Sequence, residues 1–350
     1  MQQYLDVLQK ILDEGVEKES GRANMPNTIG ISKSEIRMDL QDGFPLLTTK
    51  KMYWKGIVHE LLWFLRGDTN IAYLVINNVN IWSSDAYRWY LKYNEEFGNG
   101  APPMTMDEFI TNIKNGGHVN PHFVGTDYYL GDLGKVYGYQ WRNQNSVDQI
   151  KEVVDSLKSN PYSRYHIIDT WNKADFKDMA LPPCHLLYQF IVRPLSIEER
   201  WDLFQKVEWN EPLNQKSTDD AELNRICDEH NIPKFYLDLN MYQRSVDTFL
   251  GVPFNIASMS LLLMLLAKLN NMEYGVANWI GGDTHLYLDH IPMVQEQLSR
   301  EPRKLPKMLI KKELNTLDDI LSMTIDDFEL IEYDNPHPAI KAELFTGLKK

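Results

Sequence analysis

Phe235-Tyr-Leu-Asp-Leu-Asn-Met-Tyr-Gln-Arg-Ser-Val-Asp-Thr-Phe-Leu-Gly-Val-Pro-Phe-Asn255 reads as a strand that hands over to a ligand-binding turn. Leu237, Leu239 and Met241 alternate with Tyr236, Asp238, Asn240 and Tyr242, the period of a strand with one buried face. Continuing that period puts Arg244 on the polar face, where a ligand can lie. Just beyond the turn, Ala257 to Leu269 reads as a nearly all-apolar, buried helix. Asn255 in front of it is either a side chain that reads a ligand or a simple N-cap.

Working outward, Leu186 to Val192 and Arg164 to Trp171 are two further strand candidates. Tyr4, Leu5, Leu8, Ile11 and Leu12 recur at helical spacing before Gly15, and Lys55 to Arg66, stopped by Gly67, is apolar almost all round. Glu60, the one acid in that second helix, has Ile57, Trp63 and Phe64 as neighbours a turn away. It is therefore expected to have a raised pKa, in a structural ion pair or a catalytic role. Two polar stretches, at about 93–131 and 196–233, interrupt the pattern as insertions. The mixture of strands and buried helices predicts an α/β fold of α+β type: one large domain over residues 1–350, with a mixed sheet packed by helices.

The composition limits the partners. Against 49 acidic residues there are 36 basic ones, a net charge of −13, which disfavours a sequence-independent grip on a nucleic-acid polymer. The opening Met-Gln-Gln-Tyr-Leu-Asp lacks a signal pattern, and no apolar run approaches a membrane span, so a cytoplasmic protein without a membrane partner is expected. Cys184 and Cys227 are too few for a disulfide framework, and no metal site is expected.

Leu181-Pro-Pro-Cys-His185 holds a cysteine behind two prolines and beside a histidine, a setting suited to a nucleophile. For an isolated intracellular cysteine the alternative is a small buried hydrophobe. Here Arg244-Ser245 supplies an anion clamp, and the Asn255 amide can read a pyrimidine edge, so the nucleophile is preferred.

Six blocks carry a wider resemblance: Asp42 to Lys50, Glu60 to Asn70, Val136-Tyr-Gly-Tyr-Gln-Trp-Arg142, Met179 to His185, Gln243 to Asn255, and Gly281-Gly-Asp-Thr-His-Leu-Tyr287. In this order they resemble the thymidylate synthase family over nearly the whole chain. The resemblance implies a methyltransferase that converts dUMP to dTMP with 5,10-methylenetetrahydrofolate and no metal. Cys184 would add to carbon 6 of the pyrimidine, with Glu60, His185 and Tyr137 managing protons and Asn255 selecting uracil over cytosine. Arg22, Arg164, Arg244 and Ser245 would bind the phosphate, and His285 and Tyr287 the ribose. Asp247 would serve both ligands, and Lys50, Trp82, Leu181, Leu250, Gly251 and Phe254 would hold the folate. The arginine matching Arg164 comes from the second subunit in this family, so the resemblance also implies a sheet-mediated homodimer with shared sites.

Four departures bear on the phosphate, the folate and the lid. Tyr165 follows Arg164 where the family has a second arginine. Arg22 is followed by Ala-Asn-Met-Pro-Asn-Thr instead of a glycine and threonine alternation. Ser-Ser-Asp85 follows Trp82 where an acidic pair and a second tryptophan are usual. The tail reads Lys341-Ala-Glu-Leu-Phe-Thr-Gly-Leu-Lys-Lys350 instead of a short apolar closing segment. A leaking lid would let water add to the methylene intermediate and give 5-hydroxymethyl-dUMP, the hydroxymethyltransferase outcome. A third reading is a catalytically idle, nucleotide-binding paralogue. The retained nucleophile and its surround favour the synthase.

Overall fold

In the computed structural model, which describes residues 1–21, 24–208 and 219–347, alternation carries the central strand from Phe235 through to Asp247, past the Tyr242 limit of the pattern. Leu237, Leu239 and Met241 are fully buried, and Tyr242 on the other face is exposed. In chain order the elements begin α1 (Gln2–Glu14), β1 (Val16–Lys18), β2 (Thr28–Ile31), β3 (Ser34–Asp39), α2 (Trp54–Leu65), α3 (Ala72–Ile76), α4 (Ser83–Phe97) and α5 (Met106–Asn112). Next come α6 (Tyr137–Asn143), α7 (Gln149–Ser159), β4 (Ile167–Asp169), β5 (His185–Pro194), α8 (Ile197–Glu208), α9 (Asp220–Glu229) and β6 (Phe235–Asp247). The remainder is α10 (Gly251–Leu269), β7 (Glu273–Tyr287), α11 (Ile291–Leu298), β8 (Lys307–Ile310), α12 (Leu317–Leu321) and β9 (Phe328–Ile331).

The main sheet runs β1-β2-β7-β6-β5-β4, with β3 also paired to β7. β6 and β7 are parallel and the other pairs antiparallel, which makes it the mixed sheet the pattern predicts. β8 and β9 form a separate hairpin. α10 packs on β6 and β7, α2 packs on α10, and α6 packs on α2, giving the layered α/β arrangement. The opposite face of the sheet leaves Ile191 and Tyr242 exposed at 42% and 40%.

α10 differs from its predicted limits. It starts at Gly251, because Asp247 Oδ1 accepts the Phe249 and Leu250 amides (3.2 and 3.0 Å) and turns the chain sharply out of β6. Pro253 is tolerated there because it sits in the first turn, where its missing N–H has no intrahelical partner to lose. Asn255 is thus inside the helix, and Leu250 is its N-cap. At 19 residues and a mean hydropathy of 1.7, α10 is long and apolar enough to span a bilayer, against the expectation that no run approaches that length. It is a core helix, with 83% of its apolar window buried in the fold.

The Arg164 to Trp171 candidate shortens to the edge strand β4. Ahead of it, Ser163 N–H donates to the Asn160 carbonyl and Tyr165 N–H to the Ser163 hydroxyl, a turn that takes these groups out of any ladder. The 93–131 stretch contributes Phe109, Ile113, Phe123 and Tyr128 to the main core. By contrast, α8 and α9 close over a small core of their own, formed by Trp201, Phe204, Leu223, Cys227 and Ile232. Arg200 is buried beside it and braced by Asp228 and Asn224 at 2.6 Å each.

Candidate active site

The β5 start and the ends of β6 and β7 meet at one edge of the sheet: His185 pairs with Gln243, Ser245 with Asp283, and Asp247 with His285. There they wall a cavity of about 610 Å3 together with α2, α6 and the start of α10. Its lining includes Glu60, Tyr137, Cys184, His185 and Asn255, all five of the sequence-predicted catalytic residues. Of the residues expected to contact a nucleotide, Ser245, Asp247, His285 and Tyr287 also line the cavity, and so do Trp82, Leu181, Leu250, Gly251 and Phe254 of those expected to contact a folate.

Cys184 is fixed by its backbone. Its N–H donates to the Tyr137 hydroxyl at 2.6 Å, and its carbonyl accepts the Arg244 N–H at 2.9 Å. The Arg244 side chain completes the hold, donating through Nε to the Pro183 carbonyl (2.7 Å) and through Nη2 to the Pro182 carbonyl (3.0 Å). Prolines offer acceptors but no N–H, so this loop needs an external donor, and the guanidinium fork spans two adjacent carbonyls. Gly138 lets the start of α6, which carries Tyr137, approach the turn after α2, for a Cβ there would fall 2.5 Å from the Asp68 carbonyl oxygen.

Burial sets the protonation states. Glu60 is raised to about 7 by burial, opposed by the 2.7 Å bond it accepts from Trp82 Nε1. His185 is lowered to about 4, also by burial, and is a neutral imidazole near pH 7, with Nδ1 3.1 Å from the Tyr188 hydroxyl. Tyr137 lies well above 10 because of burial and the adjacent Cys184, so its hydroxyl keeps its proton. The rings of Phe64, Trp82 and Tyr137 pack at centroid distances of 5.0–6.3 Å and form an aromatic wall.

Asn255 has an orientation set by its neighbours. Trp279 Nε1 can only donate, and it donates to Gln243 Oε1 at 2.9 Å; the same oxygen accepts from Asn255 Nδ2 at 3.1 Å. Asn255 also bonds the His185 side chain, a contact that must give way where a ligand takes both its Oδ1 and its second N–H. Gln243 was missed by the sequence reading, although a polar residue in phase with Leu237, Leu239 and Met241 is the signal that could have found it.

Three predicted residues lie elsewhere. Lys50 is buried behind the wall, donating to the Phe249 carbonyl at 2.6 Å, with its pKa lowered to about 7 by burial. Arg164 is exposed on the loop before β4, and Arg244 faces the proline loop and not the cavity. Arg22 lies outside the described residues. Among the described residues the only lysine or arginine on the cavity wall is Lys18, which bonds Asp283 at 2.7 Å. The tail also departs from expectation: Ala342, Leu344, Phe345 and Thr346 form part of the wall despite their altered sequence.

Comparison with known proteins agrees with this geometry. The sequence profile of the family described as thymidylate synthase matches residues 2–346. The thymidylate synthase of Mycoplasma mobile is 41% identical over 344 residues, covering 98% of this chain and 99% of the relative. Those of Mycoplasma pneumoniae and Malacoplasma penetrans are each 40% identical, again over 98% of this chain and 99% of theirs. This chain belongs to the thymidylate synthase family.

Proposed function

We propose that the chain catalyses the reductive methylation of dUMP to dTMP with 5,10-methylenetetrahydrofolate as co-substrate. The observation that carries this is Cys184 at the cavity wall, fixed through both its N–H and its carbonyl and surrounded by Tyr137, His185 and Asn255. A sulfur held this way can add to carbon 6 of the ring, which turns carbon 5 into a nucleophile. The folate supplies the one-carbon unit and then the hydride, leaving as dihydrofolate. Loss of the carbon 5 proton breaks the bond to the folate nitrogen and leaves an exocyclic methylene; the hydride adds to that carbon, and the returning electron pair expels the Cys184 sulfur and restores the ring double bond.

The chain's own groups manage charge and protons around that addition. Asn255 would meet the uracil N3–H with Oδ1 and the O4 with its second N–H, the complement of a uracil edge. Glu60, titrating near neutrality, can hold a proton for O4 through water, and His185 orders that water as a neutral imidazole. With its proton retained, Tyr137 acts as a relay in carbon 5 deprotonation and not as an anionic base. The apolar wall of Trp82, Leu181, Leu250 and Phe254, with Asp247 beside it, suits a flat heteroaromatic ring bearing N–H donors. Lys50, bonded to the Phe249 carbonyl, would act on the folate by fixing the turn that carries Leu250 and Gly251.

Ser245 would bind the phosphate, and His285 and Tyr287 the ribose hydroxyl. A wall with one lysine requires further cations for a phosphate. Arg22 would be one, and Arg244 a second if its Nη1, which is not bonded to the proline loop, turns toward the phosphate. The third is Arg164 of a second copy, a reading supported by its exposure and by the open sheet face around Ile191 and Tyr242. The protein is accordingly proposed to be a homodimer with shared sites, each chain a single catalytic domain with the 93–131 and 196–233 stretches as insertions. A cytoplasmic setting fits two cysteines that are not joined in a disulfide.

The test is to incubate the protein with dUMP and methylenetetrahydrofolate, identify the pyrimidine product by mass and follow dihydrofolate by absorbance. Formation of dTMP and dihydrofolate, abolished by Cys184→Ala, is expected. 5-Hydroxymethyl-dUMP without dihydrofolate would overturn the reading.

A further inference from the structure

We propose that Arg88, oriented by Asp85, is a latch that fastens the C-terminal segment over the cavity by its backbone and keeps the folate side of the site closed. The consequences of the latch rest on the proposed reaction, and the latch itself on geometry alone. Arg88 and Asp85 lie one turn apart in α4, directly after Trp82. Arg88 Nη2 donates to Asp85 Oδ1 at 2.5 Å, and Nη1 donates to the Thr346 carbonyl at 2.6 Å. The pair is half-buried, so water and salt screen it less than a surface pair. A lone arginine would sample many rotamers, whereas the carboxylate fixes the plane of the guanidinium and aims its second nitrogen at the tail.

A second fastener lies three residues earlier in the tail. The Glu343 carbonyl lies 2.9 Å from His290 Nε2, and the Phe345 ring stacks on His290 and meets Tyr287 edge-on, both at 4.9 Å. Between these points Leu344 and Phe345 become cavity wall. Both polar fasteners grip carbonyl oxygens, which every residue has. This accounts for a segment so different from a short apolar terminus still lying across the site. Asp85, where the family resemblance led us to expect a second tryptophan, thus contributes to closure by ion pairing in place of ring packing. Arg88 is not on the cavity wall, so it is a positioning residue and not a catalytic one.

The full-length chain is compared with Arg88→Ala and Arg88→Lys, each with and without removal of residues 344–350. Amide hydrogen exchange of residues 342–347 is followed in the presence of dUMP and tetrahydrofolate. Loss of one charge-assisted hydrogen bond predicts exchange about tenfold faster in Arg88→Ala, with a similar rise in folate KM and a dUMP KM changed by less than about threefold. A larger share of 5-hydroxymethyl-dUMP should accompany it, and Arg88→Lys should recover part of the loss because an ammonium can still reach one carbonyl. In the shortened chain Arg88→Ala should have no further effect. Unchanged exchange in Arg88→Ala, or an equal effect of that change in the shortened chain, would overturn the latch. Were the Ala variant unfolded, the Lys variant and the shortening alone would still decide the question. The exchange readout separates the two readings: a loosened tail in a protein that makes no dTMP would sink the proposed reaction and keep the latch, and dTMP formation with an indifferent tail would do the reverse.

Discussion

Replacing Glu60 by Gln isolates the proton that burial forces onto this carboxyl. The side chain sits in α2 among apolar neighbours, with Trp82 Nε1 donating to it, and its pKa is raised from 4.5 to about 7. At about 1.4 kcal/mol for each tenfold in proton affinity, that is on the order of 3 kcal/mol, of which about 2–3 kcal/mol develops between pH 5 and pH 8. The sign follows from a raised folded-state value. Below pH 4.5 Glu60 is neutral in both states and costs nothing. As pH rises toward 7, the unfolded chain ionises while the folded carboxyl still holds its proton, so the fold loses stability, and the loss is complete above pH 7. Gln keeps an oxygen for the Trp82 indole and carries no titratable proton. Urea midpoints of both proteins at equal concentration, measured from pH 5 to pH 8, should therefore diverge upward with pH in favour of Glu60→Gln. Turnover should move oppositely: the variant loses about 100-fold or more, and the inflection of the wild-type profile near pH 7 disappears. A stability difference that stays flat across this range would mean that the buried carboxyl is ionised, and the assignment of Glu60 as a near-neutral proton carrier would fall.

Two other outcomes test the base reader and the shared site. Asn255→Asp puts a second acceptor against Gln243 Oε1, which Trp279 prevents from turning away; kcat/KM for dUMP should fall by about 10–100-fold and preference move toward dCMP, measured by competing the two nucleotides. Mixing Arg164→Ala with Cys184→Ala should restore part of the activity, because one hybrid site then has both residues; no recovery after proven subunit exchange would argue against an arginine supplied by the partner.

How much of this was legible depended on whether the cause was local. The alternation of β6 could be read because one face of that strand is buried and the other is not, and the apolar run of α2 marked both its burial and the raised Glu60. The start of α10 was obscured because Gly251 and Pro253 are loop signals in sequence, and only the Asp247 turn makes them the first residues of a helix. Lys50 sits in a recognisable block, but its amine is satisfied by a carbonyl about two hundred residues away, which no local pattern encodes. The Arg88 contact with Thr346 was invisible for the same reason, since a backbone carbonyl leaves no trace in residue identity.

The nucleophile shows this division most sharply. Pro-Pro-Cys-His identified the residue, yet nothing in those letters holds the sulfur in place. Two prolines leave their carbonyls without a local donor, and β6 answers with Arg244, whose side chain takes both while its N–H takes the carbonyl of Cys184 itself. The remaining backbone group, the Cys184 N–H, goes to Tyr137 on α6, a helix whose start Gly138 lets seat against the turn after α2. Arg244 was read from its polar phase as an anion ligand. The same phase also aims it at the loop, so loss of this one residue would loosen the nucleophile as well as the phosphate. Three blocks far apart in the chain therefore form one mechanical unit, and the chemistry of Cys184 belongs to that unit and not to the motif that announces it.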